Sequence, residues 1–192
     1  MKKIKNKSHS SPELQGVNTK DTHFSHCKFP GMFHFSTYTN CTFLNCDFSG
    51  AEFDITGFFN CAFPESKLSN LDFTDTTIKE CNFQKSVLKN NIFQQFKPSS
   101  NSKHQKFDLR KCKFNQSNLT GSVFIKCELT NVSFKKANLS KVIFDRCYLT
   151  KTNLTGASIS GTNFNTSIIS NTITDLAGLI QFGQSKGFIL SK

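Results

Sequence analysis

A phenylalanine returns at every fifth position of residues 41–63, CTFLNCDFSGAEFDITGFFNCAF. The same spacing, with Phe, Leu, Ile or Tyr at each fifth position, runs from Phe33 to Phe93 and again from Leu109 to Ile169. Hydrophobic residues make up only 36% of the chain, so composition alone does not explain their placement at one fixed interval. A helix repeats at about 3.6 residues and a strand at about 2, and neither accounts for an interval of five.

The position two residues before each large residue completes the pattern, because it usually carries a small side chain. Cys41 precedes Phe43 in this way, and Ala51 precedes Phe53. Two inward residues separated by one outward residue form a very short strand. The remaining two residues of each five are rich in Ser, Thr, Asn, Gly and Lys, which suit a corner in contact with water.

A second period, of twenty residues, indicates how many sides each coil has. Like residues recur at this interval: Cys41, Cys61 and Cys81; Phe43, Phe63 and Phe83; and Phe124, Phe144 and Phe164. Four five-residue sides per coil would stack these residues above one another. The sequence therefore predicts an all-β solenoid with square coils, about six to seven of them, joined by backbone hydrogen bonds.

Several segments resemble the repeat of the pentapeptide-repeat family, which reads small residue, Asp or Asn, Leu or Phe, Ser or Thr, any residue. Good copies are Ala51-Glu52-Phe53-Asp54, Ala137-Asn138-Leu139-Ser140 and Thr152-Asn153-Leu154-Thr155. The resemblance covers residues 22–171. It implies a right-handed quadrilateral β-helix, and the handedness comes from the family rather than from the spacing.

All eight cysteines, from Cys27 to Cys147, occupy the small slot two residues before a large residue. A thiol in that slot is expected to fill the core in its reduced form. The sequence contains no Cys-x-x-Cys pair and no histidine cluster, so we expect neither a metal site nor a cofactor. Stacked cysteines would have parallel side chains, which disfavours a disulfide. This usage fits a reducing compartment, the cytoplasm.

Three segments fall outside the repeat. Residues 1–20 are basic and polar, lack the apolar stretch of a secretory signal, and are expected to form a disordered tail. Residues 94–106 interrupt the spacing and are expected to project as a loop. After residue 174, Asp175 is placed to cap a short helix that ends near Gly187 and either closes the last coil or joins two chains. No apolar run approaches the ~18 residues of a membrane span.

Charge is distributed unevenly along a chain whose formal net charge is +11. Residues 1–20 hold five bases and one acid, residues 21–93 five bases and eight acids, and residues 94–192 fourteen bases and four acids. Acidic residues are expected on one side of neighbouring coils: Glu52, Asp54, Asp72 and Asp75. Basic residues are expected at corners around the rod, as a girdle rather than a stripe: Lys111, Lys126, Lys136, Lys141, Arg146 and Lys151.

No enzyme motif is present, and a coil filled by its own side chains leaves no interior pocket, so we expect neither catalysis nor a small-molecule substrate. Such a rod can still present its sides to a macromolecule. Besides the acids named above, candidate contact residues lie in the loop and in an outward apolar patch: Phe96, Lys97, Lys103, Lys106, Val123, Ile125 and Ile143. The patch is typical of a partner or dimer contact, although the loop or the N-terminal segment could equally cover it.

Three functions remain open. Quinolone-resistance (Qnr-type) and microcin-immunity members of the family are thought to protect DNA gyrase and topoisomerase IV, so the resemblance suggests these as the best named partners. The alternative is a module that binds another protein, including an effector delivered into a host cell. The second alternative, a nucleic-acid-binding rod, is suggested by the net charge, but inward-facing phenylalanines leave no stacking platform. A homodimer through the C-terminal end is also compatible with the sequence.

Overall fold

The computed structural model describes residues 1–94 and 106–191, which form a parallel β-solenoid with two short helices. The strands are β1 Lys2–Lys5, β2 Asn18–Lys20, β3 Thr22–Ser25, β4 Gly31–His34, β5 Thr37–Thr39, β6 Thr42–Leu44, β7 Ala51–Asp54, β8 Thr56–Phe59, β9 Thr76–Lys79, β10 Ile92–Phe93, β11 Phe107–Asp108, β12 Val123–Ile125, β13 Cys127–Glu128 and β14 Ile143–Asp145. The helices are α1 Ser11–Leu14 and α2 Leu176–Ser185, and neither is long enough to cross a membrane. Every strand pair in the described residues is parallel.

Each coil has four sides, which we number in chain order, and one central residue per side points into the rod. The central residues are, for side 1, Ile4, Phe24, Phe43, Phe63, Phe83, Phe114, Phe134 and Leu154; for side 2, His9, Phe29, Phe48, Leu68, Leu88, Leu119, Leu139 and Ile159; for side 3, Leu14, Phe33, Phe53, Phe73, Phe93, Phe124, Phe144 and Phe164; and for side 4, Thr19, Tyr38, Phe58, Ile78, Leu109, Leu129, Leu149 and Ile169. The solenoid makes about seven turns, so the predicted fold class and number of coils are confirmed.

The interior is a stack of aromatic rings and aliphatic side chains. On side 1 the ring of Phe63 lies parallel to those of Phe43 and Phe83, with centroids 5.0 and 4.9 Å away. Rings on adjacent sides meet edge to face, as Phe58 and Phe63 do at 5.4 Å. Both arrangements are favourable for aromatic pairs. Residues five apart therefore meet along the axis of the rod, as the sequence predicts.

The small residue two positions before each central residue does more than fill space. Ser66 Oγ donates to the carbonyl oxygen of Phe43 at 2.6 Å and accepts from the backbone N–H of Cys46 at 2.8 Å. Thiols use the same slot, and Cys61 Sγ donates to the carbonyl oxygen of Tyr38 at 3.4 Å. All eight cysteines are buried and free, as expected. The hydrogen bonds made from these slots tie one coil to the next.

Most corners turn at the residue two positions after a central residue, which adopts a left-handed backbone conformation with positive φ. Asn is the commonest residue at these corners, because it tolerates positive φ better than most non-glycine residues. Asn side chains also link coils, as Asn60 Nδ2 does by donating to Asn40 Oδ1 at 2.9 Å. Most of the basic residues assigned to corners have positive φ: Lys126, Lys136, Lys141, Arg146 and Lys151. The predicted basic girdle is therefore present.

Residues 1–20 do not form the disordered tail predicted from the sequence, because they form the first coil. β1 pairs with β3 and places Ile4 opposite Phe24. The interval of five continues backwards from Phe24, but two of the central positions carry polar residues, His9 and Thr19. These residues conceal the period, and the exposed lysines around them give the segment the composition of a tail. His9 is nevertheless buried in the interior.

One coil contains additional residues. Phe83 stacks on Phe114, which lies 31 positions later, whereas neighbouring central residues elsewhere on side 1 are 19 or 20 positions apart. The predicted loop at 94–106 falls at this point, and residues 95–105 lie outside the described part of the chain. The rings of Phe93 and Phe124 stack with centroids 4.5 Å apart. The interior is therefore continuous across the insertion.

α2 covers the end of the last coil. Asp175 is the N-cap of α2, as predicted: its carboxylate accepts a hydrogen bond from the backbone N–H of Gly178 at 2.9 Å. The same carboxylate accepts a second hydrogen bond from the backbone N–H of Gly156 in the last coils, at 2.6 Å. Gln181 Oε1 accepts from the N–H of Ile159 at 2.7 Å, which ties the helix to the coil beneath it. Large apolar side chains remain exposed in this segment: Leu176, Leu179, Phe188, Ile189 and Leu190. A homodimer through this end stays a prediction.

Candidate protein-binding surface

Side 3 brings the predicted acidic residues and the predicted apolar patch onto one surface. One residue before the six central residues from Phe33 to Phe144, this side carries an outward column, here called the side-3 column, which consists of Met32, Glu52, Asp72, Ile92, Val123 and Ile143. The strand register places Asp72 opposite Ile92, so the acidic part meets the apolar part directly. Ile92 and Ile143 are 39% and 42% exposed. The two groups of candidates therefore form one continuous surface.

A second outward column follows each central residue of side 3. Its Asp54 Oδ2 lies 2.5 Å from Nδ1 of His34 in the preceding coil. Both side chains are well exposed, so solvent screens this contact and it contributes little to stability. Ile125 lies in the same column on the far side of the insertion and widens the apolar part of the surface.

The corner between sides 3 and 4 adds two exposed apolar residues that the sequence analysis did not select. Phe35 and Ile55 lie on consecutive coils and are 59% and 56% exposed, and we call them the corner pair. Asp75 follows in the next coil, and Lys126 and Arg146 occupy the same corner beyond the insertion. Their position two residues after a central residue, where Asn, Gly and Lys prevail, is the signal that could have identified the pair.

The interior environment suppresses ionisation of the Cys46 and Cys112 thiols. Burial raises the pKa of the Cys46 and Cys112 thiols to about 12, so both remain protonated at neutral pH. A protonated thiol is a poor nucleophile and a poor metal ligand. In residues 1–94 and 106–191, no group of three His, Cys, Asp or Glu residues is placed to hold a metal ion.

Some of the predicted contact residues are engaged within the rod or cannot be placed. Lys106 Nζ lies 3.3 Å from Glu128 Oε2 and 3.2 Å from the centroid of the Tyr148 ring. These contacts hold Lys106 against side 4, and we leave it out of the candidate surface. The remaining loop candidates lie outside the described residues, so their role stays a prediction: Phe96, Lys97 and Lys103.

The chain is similar to one protein-family model and to several solved protein structures. The family model for the pentapeptide repeat region matches residues 99–173. A trypsin-treated variant of QnrB1, a plasmid-mediated fluoroquinolone resistance protein, is 13% identical over 100% of this chain and 99% of its own, with a TM-score of 0.63. HetL, a pentapeptide repeat protein involved in heterocyst differentiation regulation in the cyanobacterium Nostoc, is 15% identical over 90% of this chain and 86% of its own, with a TM-score of 0.35.

The comparison with curated protein sequences found no match. At 13% identity, the likeness to QnrB1 shows a shared fold and nothing narrower. The repeat itself is shown by the family model together with the stacked central residues and the coil-to-coil pairing. The family model therefore identifies residues 99–173 as a pentapeptide-repeat region, and the coils that precede them have the same architecture.

Proposed function

We propose that this chain is a non-catalytic scaffold that binds a protein partner through side 3. The observation that carries the proposal is the side-3 column, in which exposed acidic and apolar residues form one continuous surface. Protein interfaces combine an apolar centre with a polar rim, and complementary charge directs the approach of the partner. A partner with basic side chains beside an apolar patch would match this surface.

The shape of the rod also favours a macromolecular partner over a small ligand. The central residues of side 3 fill the interior, and Phe33, Phe93 and Phe124 are fully buried. Parallel strands are spaced by about 4.8 Å, so the six residues of the side-3 column extend over roughly 25 Å. A rigid surface of that length is suited to a folded protein or to an extended segment of one.

A narrower candidate is protection of DNA gyrase or topoisomerase IV against a fluoroquinolone. Two observations favour it: the fold is similar to QnrB1 over the whole chain, and the side-3 column presents acids, which a DNA mimic requires. Duplex DNA carries one charge per about 1.7 Å of its axis, so the few acids of this column would imitate only a short stretch of DNA.

The topoisomerase candidate is tested by measuring gyrase cleavage complexes in the presence of a fluoroquinolone and an excess of this protein. Protection should lower the amount of cleaved DNA, and Glu52→Lys should abolish the protection. Glu65→Lys is the matched control, because it makes the same charge change at an exposed corner between sides 1 and 2. An unchanged amount of cleaved DNA with the wild-type protein would reject gyrase as the partner and leave the wider proposal in place.

The wider proposal is tested by site-specific cross-linking in the cells that produce the protein. A photoreactive amino acid at position 72 should give a discrete protein adduct, whereas the same amino acid at position 65 should not. Equal adducts from both positions, or none from position 72, would contradict binding through side 3. We propose the cytoplasm as the compartment, and delivery into a host cell remains the alternative for a partner found there.

Direct nucleic-acid binding is the competing function, and the charge pattern of side 3 argues against it. The bases lie at all four corners, and the acids of side 3 would repel a phosphate backbone. A titration with duplex DNA at increasing salt separates the two functions, because phosphate contacts give a steep loss of affinity with salt. A steep slope at physiological salt would favour the nucleic-acid function over the one proposed.

A further inference from the structure

The corner pair breaks the rule that governs the other corners. Among the non-glycine residues with positive φ in residues 1–94 and 106–191, Phe35 and Ile55 are the apolar ones, with φ of 48° and 47°. The others are mainly Asn, Lys and Glu. A left-handed conformation is uncommon for any non-glycine residue and is an outlier for a β-branched one such as Ile55. Both positions would be filled with less strain by Asn.

Burial does not offset this strain. The corner pair is more than half exposed, so neither side chain gains much from contact with the interior. The Phe35 ring meets the His34 imidazole edge to face, with centroids 4.1 Å apart. His34 is itself held by Asp54 in the next coil. The ring is therefore presented to solvent beside His34, and backbone strain that the fold does not require is typical of functional sites.

The surroundings of the corner pair specify the charge of what would bind. The nearest outward positions of side 3 in these coils hold no lysine or arginine, and their charged residues are acidic apart from His34. The acids concerned are Glu52, Asp54, Asp72 and Asp75. Two exposed apolar side chains bordered on one side by carboxylates complement an apolar residue that is flanked by Lys or Arg.

We propose that Phe35 and Ile55 form the apolar centre of a docking site for a segment of a protein partner that carries an apolar side chain next to basic residues. This inference rests on the proposed function and locates its strongest contact. Exposed aromatic and aliphatic anchors of this kind supply most of the binding energy in many interfaces, while the surrounding contacts contribute less.

The inference predicts that one substitution, Ile55→Asn, raises the stability of the fold and lowers the affinity for the partner. Ile55→Asn removes the strained β-branched residue, so the thermal unfolding midpoint should rise. The same change should weaken binding by at least about tenfold, since it removes an anchor. Gln116→Asn is the matched control, because it introduces the same residue at an exposed corner with φ of 58° away from side 3. It should leave binding unchanged.

The binding probe is a phage-displayed library of random linear peptides, selected on the wild-type protein and counter-selected on the Phe35→Asn, Ile55→Asn double variant. The enriched peptides should carry an apolar residue beside Lys or Arg, and a synthetic copy should lose affinity with added salt. Enriched peptides without basic residues, or peptides that bind the double variant equally well, would overturn the inference. A lower unfolding midpoint for Ile55→Asn would also overturn it, because the residue would then serve the fold.

Two further outcomes separate this inference from the proposed function. A discrete adduct from position 72, combined with unchanged partner binding by the double variant, would reject the corner pair and keep side 3 as the binding surface. Sedimentation of the wild-type protein and of the double variant tests a second copy as the occupant. Self-association that disappears in the double variant would assign the corner pair to a dimer and overturn the proposal of a different partner.

Discussion

The two halves of side 3 have the same backbone and present different chemistry. Before the insertion, the side-3 column carries Glu52 and Asp72, and the adjacent corner carries the corner pair and Asp75. After the insertion, the column carries Val123 and Ile143, and the same corner carries Lys126 and Arg146. The interior behind them hardly changes, since Phe53 stacks on Phe73 and Phe124 on Phe144 with centroids 5.4 and 5.1 Å apart.

This difference shows which positions the fold controls and which it leaves free. Central residues and small slots are restricted by packing in both halves, because each must stack on its neighbours along the rod. Outward positions have no such restriction, so acids and strained apolar residues can gather in one half and bases in the other. A surface difference of this kind is the more informative guide to function, because the fold does not demand it.

The largest expected effect tests whether the interior is equally well packed before and after the insertion. Phe63→Ala and Phe114→Ala each remove a fully buried ring from side 1, one before and one after the insertion. Each should cost about 3–5 kcal/mol in the free energy of unfolding, as for other buried aromatic residues. Urea denaturation followed by circular dichroism measures both. A cost under about 1 kcal/mol for either variant would contradict a stacked interior in that half.

The interior could be predicted from the sequence because a residue that fills a stacked layer must be large and apolar in nearly every coil. The first coil was missed for the converse reason. His9 and Thr19 occupy central positions at the end of the rod, where a layer has a neighbour on one side only and polar residues are tolerated. A search for the interval of five that allowed polar residues at its ends would have extended the solenoid to Ile4.

The candidate surface could be predicted only in part. The acids and the apolar patch were identified separately, and their union on side 3 depends on the register across the insertion, which the sequence does not determine. The corner pair was missed because composition does not report backbone conformation. In the sequence, only their position two residues after a central residue distinguishes Phe35 and Ile55, and it is their positive φ that marks them as strained.

A second, smaller effect is expected from the slots that tie the coils together. Ser66→Ala and Ser122→Ala each remove a hydroxyl that bonds to the carbonyl oxygen of the preceding coil, on Phe43 and Leu88, at 2.6 Å. Each also leaves a buried N–H group without its acceptor. A cost of about 1–3 kcal/mol in the free energy of unfolding is expected, with similar values in the two halves.

Ser66→Cys is the informative control for this prediction, because cysteine occupies the same slot elsewhere and donates to the same kind of carbonyl, as Cys81 Sγ does to Phe58 at 3.3 Å. It should retain more stability than Ser66→Ala in the same urea titration. If the two variants unfold at the same urea concentration, the side-chain hydrogen bond from this slot to the preceding coil contributes nothing measurable to stability.

A third effect should be confined to the first coil, where the interior contains a titratable group. The His9 ring stacks on Phe29 with centroids 4.8 Å apart. Burial lowers the pKa of His9, Lys7 lowers it further, and Glu13 opposes the shift. Because the folded state binds the proton less readily than the unfolded state, the contribution of His9 to stability is present above pH about 6.5 and is lost as the pH falls towards its lowered folded-state pKa.

Hydrogen exchange of the β1 amides is the measurement for this effect. The protection factors of these amides, which correct for the slower intrinsic exchange at lower pH, should fall below pH 6.5, whereas those of amides near Phe124 should not change. His9→Phe replaces the imidazole with the residue usual at central positions and should remove the response. If the response persists in that variant, it does not originate in the buried imidazole of His9.

The smallest effect concerns one of the ion pairs that span the insertion, Lys79–Asp108. Lys79 Nζ lies 3.3 Å from Asp108 Oδ2, and the two side chains are 46% and 32% exposed. An exposed pair of this kind contributes about 0–1 kcal/mol, so a double-mutant cycle with Lys79→Ala and Asp108→Ala should give a coupling energy in that range. A larger value would mean that charge joins the acidic and basic halves of the rod. A value within the range would mean that this pair adds little to the backbone hydrogen bonds and stacked rings that already join the two halves, such as the bond from the N–H of Phe83 to the carbonyl oxygen of Lys113.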